Sequence, residues 1–149
     1  MRTIRTMLAL AMSAGLLVIA APVAPAAGCL DLVGILYDSP GDDDNSNASL
    51  NAEYVTVKND CAVTKKLGGW SISDEDGTVF TFPKLKLKPK KSVRVHSGIG
   101  TGSKTDQFFQ KTNYVWNNGE DTATLKNKSG TPVGRCAYDS DDPGPGVIC

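Results

Sequence analysis

The chain has 149 residues, a length that allows a single domain. Its 16 basic and 16 acidic residues balance each other. Arg2 and Arg5 lie in an N-terminal segment that we expect to be removed; without them 14 basic residues face 16 acidic ones, giving a net charge of −2. The composition therefore excludes a chain that binds nucleic acids or membranes through its overall charge.

Residues 1–27 have the three parts of a secretory signal peptide. Two arginines come first, an apolar run follows from 7 to 21, and Ala24 and Ala26 form an A-x-A cleavage site. The apolar run is shorter than the roughly 20 residues that a membrane-spanning helix needs. We therefore predict a secreted, extracellular protein that starts at residue 27 or 28 and has no transmembrane segment after cleavage.

The exported part contains Cys29, Cys61, Cys136 and Cys149. An even number of cysteines in an oxidising compartment indicates two disulfides. Four cysteines allow three pairings, and proximity along the chain favours Cys29–Cys61 together with Cys136–Cys149, although the sequence leaves this choice open. The second of these bridges would fix the Pro/Gly-rich tail 139–149.

Cys29 also permits a competing interpretation, because the residues before it resemble a bacterial lipobox. In that motif the cysteine carries a lipid and becomes the first residue of the mature chain. Ala26 stands where the motif has leucine or a similar residue, and lipidation would leave three cysteines. We therefore favour the disulfide over a lipid anchor at Cys29.

Seven short runs with one apolar face follow residue 28, and turn residues separate them. Such strands cannot bury their apolar faces singly, so we expect an all-β fold of two antiparallel sheets packed face to face. We expect irregular structure at 41–51 and at 97–120. The predicted strands are 32–37, 53–59, 69–73, 77–82, 91–96, 121–127 and 131–138. The predicted core residues are Trp70, Ile72, Phe80, Phe82, Val93, Val95 and Leu125.

The stretch 67–82, LGGWSISDEDGTVFTF, raises a choice between a ligand site and a hairpin. Asp76 and Gly77 form a turn dipeptide in which glycine adopts positive φ at little cost. Trp70 shares a strand face with Ile72, which makes it a core residue in the simpler interpretation. The alternative is that Trp70 forms an aromatic platform for a ligand, and we favour the core.

Several blocks of the chain resemble one known family. The blocks NAEYVTVKN, LGGWSISDEDG, VRVHSGIG and VWNNGEDTATLKNKSG occur in this order, followed by Tyr138. Together they are similar to the lamin tail domain (LTD), found in nuclear lamins and in many secreted bacterial proteins. The resemblance covers about 28–138 and implies an immunoglobulin-like antiparallel β-sandwich of about seven strands. The export signal favours a secreted bacterial member, and the resemblance carries no partner motif over to these positions.

An acidic loop matches part of a calcium-binding pattern. Against the spacing D-x-[DN]-x-[DN]-G-x5-E, Asp42, Asp44, Ser46 and Glu53 occupy places one, three, five and twelve. Oxygen ligands at alternate positions can converge on a hard cation. Asn47 replaces the glycine, and strands rather than helices are expected on either side. We therefore predict that the chain needs no cofactor and keep calcium as an alternative.

A basic stripe follows at 84–94. Its lysines alternate with Leu85 and Leu87, so one face of the segment would be positively charged. Such a face can bind phosphates or anionic wall polymers, but it can equally protect a sheet edge from pairing with another chain. We favour edge protection. The residues of the stripe are Lys84, Lys86, Lys88, Lys90, Lys91 and Arg94.

The sequence offers no catalytic set. His96 is the only histidine, and no nucleophile motif surrounds any serine. We expect His96 to be an exposed residue at a strand end. The leading hypothesis is a secreted, non-catalytic binding or structural module whose partner is an unknown extracellular protein or polymer. The alternatives are a calcium-dependent adhesion or scaffold module using 42–53, and a module that binds DNA or a wall polymer through 84–94.

Overall fold

The computed structural model describes residues 28–149, and the predicted signal peptide lies outside this range. Within the described range there are eleven β-strands and one short helix. In chain order they are β1 (Leu30–Leu36), α1 (Asn47–Ala52), β2 (Tyr54–Asn59), β3 (Lys65–Lys66), β4 (Ser71–Ser73), β5 (Val79–Thr81), β6 (Lys86–Leu87), β7 (Ser92–His96), β8 (Asp106–Phe108), β9 (Asp121–Lys126), β10 (Pro132–Tyr138) and β11 (Gly146–Ile148).

The strands form two main sheets and one small ribbon. The larger sheet has the order β11-β1-β2-β7-β8, and the smaller one has the order β10-β9-β4-β5. The ribbon pairs β3 with β6. All neighbouring strands are antiparallel except β7 and β8, which run parallel. β1 of the larger sheet packs against β10 of the smaller one, as the predicted immunoglobulin-like sandwich requires.

The core lies between the sheets because alternate residues of each strand point inward. Val55 and Val57 on β2 are fully buried, as are Val93 and Val95 beside them on β7. Trp116 is the largest buried side chain of the described range and is 1% exposed. It comes from the long connection 97–120, so this irregular segment supplies part of the core.

Five of the seven predicted core residues are buried: Ile72, Phe82, Val93, Val95 and Leu125. The other two, Trp70 and Phe80, are only partly buried and pack against the core from its margin. The prediction that Trp70 fills the space between the sheets therefore needs correction. Trp70 stands one residue before β4 begins, at the end of its sheet.

All seven predicted strands are present, and the β4–β5 hairpin has Gly77 in its turn at φ +88°. Two segments predicted to be irregular contain regular structure. The helix α1 lies in 41–51, where Ser46 caps it by accepting a hydrogen bond from the Ser49 amide. The strand β8 lies in 97–120. Both elements are short, and a periodic pattern needs more residues than they contain.

Two disulfides join Cys29 to Cys61 and Cys136 to Cys149, with Cα–Cα distances of 4.8 Å and 5.4 Å. This is the pairing that proximity along the chain favours. The first bridge uses the Cys29 sulfur, the atom to which a lipid would be attached, so the structure contradicts the lipobox interpretation. The second bridge fixes the tail, whose strand β11 pairs with β1.

The helix described within 28–149, α1, lacks the length and apolar character needed to span a membrane.

Candidate functional site

A groove of about 790 Å³ opens beside Trp70, at the margin of the core. Its walls come from the chain on either side of the β4–β5 hairpin and from the ribbon of β3 and β6. Four lysines line it, and no aspartate or glutamate does. We call this surface the lysine groove and define it by Trp70, Lys66, Lys84, Lys86 and Lys128.

Trp70 reaches the groove because a tight turn precedes it. The Trp70 amide donates a hydrogen bond of 2.8 Å to the Leu67 carbonyl, and Leu67 anchors the turn because its side chain is fully buried. Gly69 has φ +83°, in the left-handed region that favours glycine. A Cβ on Gly68 would lie 3.5 Å from the Lys84 Cα. Gly69 therefore permits the tight turn that brings Trp70 to the edge of the groove.

Two groove lysines come from the predicted basic stripe. Lys84 and Lys86 are exposed, whereas Leu85 and Leu87 between and after them are buried. This alternation is the period of two that an extended segment requires. The leucines hold the segment against the core, so both lysines project from the same outer side. The prediction of a basic face at this segment agrees with the structure.

The other two groove lysines lie far away in the sequence. Lys66 is on β3 and stands directly opposite Lys86 in the ribbon. Lys128 belongs to a tight loop after β9, in which the Asn127 side chain accepts hydrogen bonds of 3.0 Å from the Ser129 and Thr131 amides. A Cβ on Gly69 would lie 3.2 Å from the Lys128 Cγ, so the aliphatic stem of this lysine passes over the glycine.

The charge of the groove is not neutralised within residues 28–149. Carboxylates of that range form ion pairs with Lys58, Lys90, His96 and Arg135, and none of the groove lysines is so paired. The directly opposed Lys66 and Lys86 repel each other, which disfavours the ribbon. The groove is thus a concentrated positive field on a chain without excess positive charge.

The rest of the predicted stripe does not join the groove. The Lys90 ammonium pairs with Asp60 at 3.1 Å, so its charge is compensated. Arg94 lies on β7 in the larger sheet, with its guanidinium 4.7 Å from the centre of the Tyr54 ring. Lys88 and Lys91 are exposed but are not among the residues that line the groove. The six residues of the stripe therefore do not form one continuous surface.

The four candidate calcium ligands are not brought together either. Asp42, Asp44 and Ser46 are exposed, but Glu53 follows α1 and is fully buried. The Ser46 hydroxyl caps the helix, and Asp44 accepts a hydrogen bond from the Ser46 amide. Within 28–149 no group of three or more His, Cys, Asp or Glu side chains is placed to hold a metal ion. The calcium-loop prediction fails because Glu53 has an extended backbone and points into the core in phase with Val55 and Val57 of β2.

Glu53 instead fastens the long connection to the core. Its carboxylate accepts hydrogen bonds from the Val115 amide at 3.2 Å and from the Trp116 amide at 2.6 Å. Burial raises the pKa of Glu53 to about 7, and the amide donors act in the opposite direction. This contact fixes the position of Trp116.

Two acids of the sequence motifs have similar structural roles. Asp121 is buried and accepts hydrogen bonds from the amides of Glu75, Asn117 and Thr122, while burial raises its pKa. Asp74 is also buried and accepts a hydrogen bond from the Thr78 amide across the hairpin turn. The acidic run after Trp70 thus closes its own hairpin, and it does not line the groove.

His96 is less exposed than predicted. Its Nδ1 lies 2.7 Å from the Asn51 carbonyl, and its Nε2 lies 3.0 Å from the Asp106 carboxylate. Phe108 stacks on one face of the ring. The histidine therefore links the end of α1 to β8, and both of its nitrogens are engaged.

The sequence prediction identified Lys84 and Lys86 but missed Lys66, Lys128 and the exposure of Trp70. The GG dipeptide before Trp70 was the available signal, because two adjacent glycines indicate a tight turn and therefore the end of a strand. The contributions of Lys66 and Lys128 depend on strand pairing and on a loop after β9, which a local pattern does not encode.

Comparison with known proteins agrees with the resemblance noted in the sequence. A family model described as Lamin Tail Domain matches residues 24–140. The comparison with curated proteins gives no match. Because the family model matches most of the 149 residues, and the fold is the expected two-sheet sandwich, the chain belongs to the lamin tail domain family.

Proposed function

We propose that this lamin tail domain is a secreted, non-catalytic binding module and that its ligand is a polyanion held in the lysine groove. The observation that carries the proposal is the meeting of four lysines at one concave surface without an acidic residue in its lining. The sequence prediction named an unknown extracellular protein or polymer as the partner, and the charge of the groove supports an anionic polymer.

Electrostatics favours a polymer over a small anion. Lys66 and Lys86 oppose each other across the ribbon, Lys84 precedes β6, and Lys128 approaches from the loop after β9. A ligand with charges repeated along its length can neutralise several of these lysines at once and relieve the repulsion between them. Binding of this kind releases counterions, so its affinity falls steeply as the salt concentration rises.

A non-catalytic role is supported by how the reactive side chains are used. His96 has both ring nitrogens engaged, and the buried acids Glu53 and Asp121 hold backbone amides. All four cysteines are in disulfides. The family match is to an immunoglobulin-like domain, which is consistent with a binding role.

An oxidising compartment is supported by the same disulfides. The signal-peptide pattern in 1–27 would direct the chain out of the cell. Outside the cell, the abundant polyanions are acidic polysaccharides, phosphate-rich wall polymers and released nucleic acids. The charge of the groove suits each of these classes, and further contacts must distinguish them.

The test is calorimetric titration of the oxidised protein with inorganic polyphosphate, a polyanion without sugar or base. We expect binding that weakens as salt increases. A double variant, Lys84→Glu with Lys86→Glu, should weaken it at least tenfold. The matched control is Lys104→Glu with Lys111→Glu, which makes the same charge change at exposed lysines outside the groove. Equal losses in both variants, or no binding by the native protein, would contradict the proposal.

A further inference from the structure

We propose that the lysine groove recognises an acidic polysaccharide, in which a sugar ring stacks on Trp70 and carboxylate groups along the chain pair with the lysines. This inference rests on the proposed polyanion-binding function and adds to it the chemical class of the ligand. The positive charge of the groove would attract any polyanion. The choice among polyanions therefore depends on Trp70 and on the shape of the surface around it.

Trp70 is placed for contact with a ligand. The side chain of Trp70 is partly exposed, and apolar surface left in water is unfavourable unless another group covers it. Here the indole is partly buried on one side against the core and borders the groove on another. The turn at Leu67–Trp70 and the hydrogen bond between the Phe82 amide and the Trp70 carbonyl, at 2.8 Å, fix the backbone at this position. The ring is thus presented by rigid structure.

The surface around Trp70 is elongated. A second, shallow depression is lined by Trp70, Asn127, Lys128 and Ser129. Trp70 and Lys128 border both this depression and the main groove, so the two form one continuous surface with the indole between them. A polymer can extend along this surface past the ring, whereas a single small anion would occupy only part of it.

The kind of side chains favours a sugar over a nucleic acid. Proteins that bind single-stranded nucleic acid stack successive bases on several aromatic rings. In this groove Trp70 is the aromatic residue at the margin of the core, and the other lining aromatic, Phe82, is 2% exposed. The lining cations are lysines, which pair with carboxylate and phosphate alike as point charges, so the single accessible indole is what favours a sugar. One indole with several ammonium groups matches a sugar's C–H face flanked by carboxylates.

The two glycines complete this arrangement. A side chain at Gly68 would contact the backbone of Lys84, and one at Gly69 would meet the stem of Lys128. Because neither glycine has a side chain, Lys84 and the stem of Lys128 lie close to the turn that carries Trp70. The stem of Lys128 packs over Gly69 and leaves its ammonium free to meet an anionic group beside the stacked ring.

The experiment compares four polymers: polygalacturonate, polyphosphate, a dT20 oligonucleotide and uncharged dextran. They are titrated into the native protein, the Trp70→Ala and Trp70→Phe variants, and the Lys84→Glu, Lys86→Glu double variant. We expect Trp70→Ala to weaken polygalacturonate binding about tenfold and to change polyphosphate binding less than twofold, because polyphosphate has no face to stack. The phenylalanine variant should recover most of the loss. The double lysine variant should weaken both polyanions.

The outcomes separate this inference from the proposed function. If the native protein bound no polyanion at all, both the proposed function and this inference would be overturned. Binding of both polyanions that does not depend on Trp70 would overturn the inference alone. Tighter Trp70-dependent binding of dT20 than of polygalacturonate would assign the groove to nucleic acid and contradict the inference. Dextran binding as strong as polygalacturonate binding would contradict the role of the lysines. Thermal melting of each variant verifies that it is folded.

Discussion

The two tryptophans of the chain occupy different regions. The regions differ in whether the charged side chains near the tryptophan have partners within the protein. Trp116 is 1% exposed, and its amide donates to the buried carboxylate of Glu53. Trp70 lies at the margin of the core beside four lysines that have no carboxylate partner within 28–149. The acid near Trp116 is satisfied by backbone amides of the protein, whereas the lysines near Trp70 form no ion pair within 28–149.

This comparison distinguishes a region that maintains the fold from the region that we propose binds a ligand. The acids of the sequence motifs hold backbone amides: Glu53 fastens the connection before β9, and Asp121 joins it to the hairpin. The groove lysines make no such contacts, and two of them repel each other across the ribbon. Changes near Trp116 should therefore affect stability, and changes near Trp70 should affect binding.

The largest effect is expected for Trp116→Ala, which should lower the free energy of unfolding by about 3–5 kcal/mol. Trp70→Ala should cost less, because its ring is only partly buried. Urea unfolding of both variants measures the difference. Equal losses would mean that Trp70 contributes to the core as fully as Trp116 does, and would remove the distinction between the two regions.

The next effect is a pH dependence that arises at Glu53. Its pKa in the folded state, about 7, lies above the ordinary value of 4.5. Below about pH 4.5 the carboxyl is protonated in both states and its contribution to stability is complete. Between about pH 4.5 and pH 7 the unfolded chain has released this proton while the folded state keeps it. The free energy of unfolding should therefore fall over this interval, by up to about 3 kcal/mol once the pH has risen through 7. Urea unfolding at pH 5, 6, 7 and 8 measures this decrease.

Glu53→Gln is the control for this prediction, because it removes the titrating group. The variant should show a much smaller slope between pH 5 and 8. Asp121, whose pKa is also raised, should contribute a remaining decrease of the same sign. Stability that increases from pH 5 to pH 8 in the native protein, or an unchanged slope in the glutamine variant, would contradict the assignment to Glu53.

A smaller effect is expected for Gly69→Ala. The residue has φ +83°, and an added Cβ would lie 3.2 Å from the Lys128 Cγ. The left-handed backbone should cost about 1–2 kcal/mol in a thermal or urea unfolding experiment. The matched control is Gly119→Ala, where an added Cβ would meet no atom within 4 Å. Similar losses at both glycines would indicate that the turn before Trp70 is not specially constrained.

The smallest effect has the opposite sign. Lys86→Glu would place opposite charges at the directly paired positions 66 and 86. We expect this change to stabilise the protein by about 0.5 kcal/mol at low salt and to weaken polyanion binding at the same time. Lys104→Glu, outside the groove, should change neither property appreciably. A destabilised Lys86→Glu variant would indicate that Lys86 makes a favourable contact in the fold.

Much of this architecture could be predicted from the sequence. Strands such as β2, β7 and β9 carry a clear alternation of apolar and polar residues, and the disulfide pairing followed proximity along the chain. The helix α1 could not be predicted because six residues give too short a periodic pattern. The calcium site fails because Glu53 shares the inward face of β2 with Val55 and Val57. The position of Trp70 could not be predicted because strand alternation does not show where the opposing sheet ends.

The groove was predicted only in part for a similar reason. The alternation around Leu85 and Leu87 indicated that Lys84 and Lys86 would project outward, and they do. Lys66 is placed by cross-strand pairing, and Lys128 by a loop that follows a different strand. These neighbours are set by tertiary structure, so a local sequence pattern could not assemble them.

The most direct test of the central claim is nuclear magnetic resonance of the two indole N–H groups during titration with polygalacturonate. The account predicts that the Trp70 indole signal and the amides of Gly68 and Gly69 shift as the polymer binds, while the buried Trp116 indole signal stays in place. An unchanged Trp70 signal in the presence of bound polymer, or shifts confined to another surface, would contradict the assignment of the lysine groove as the binding site.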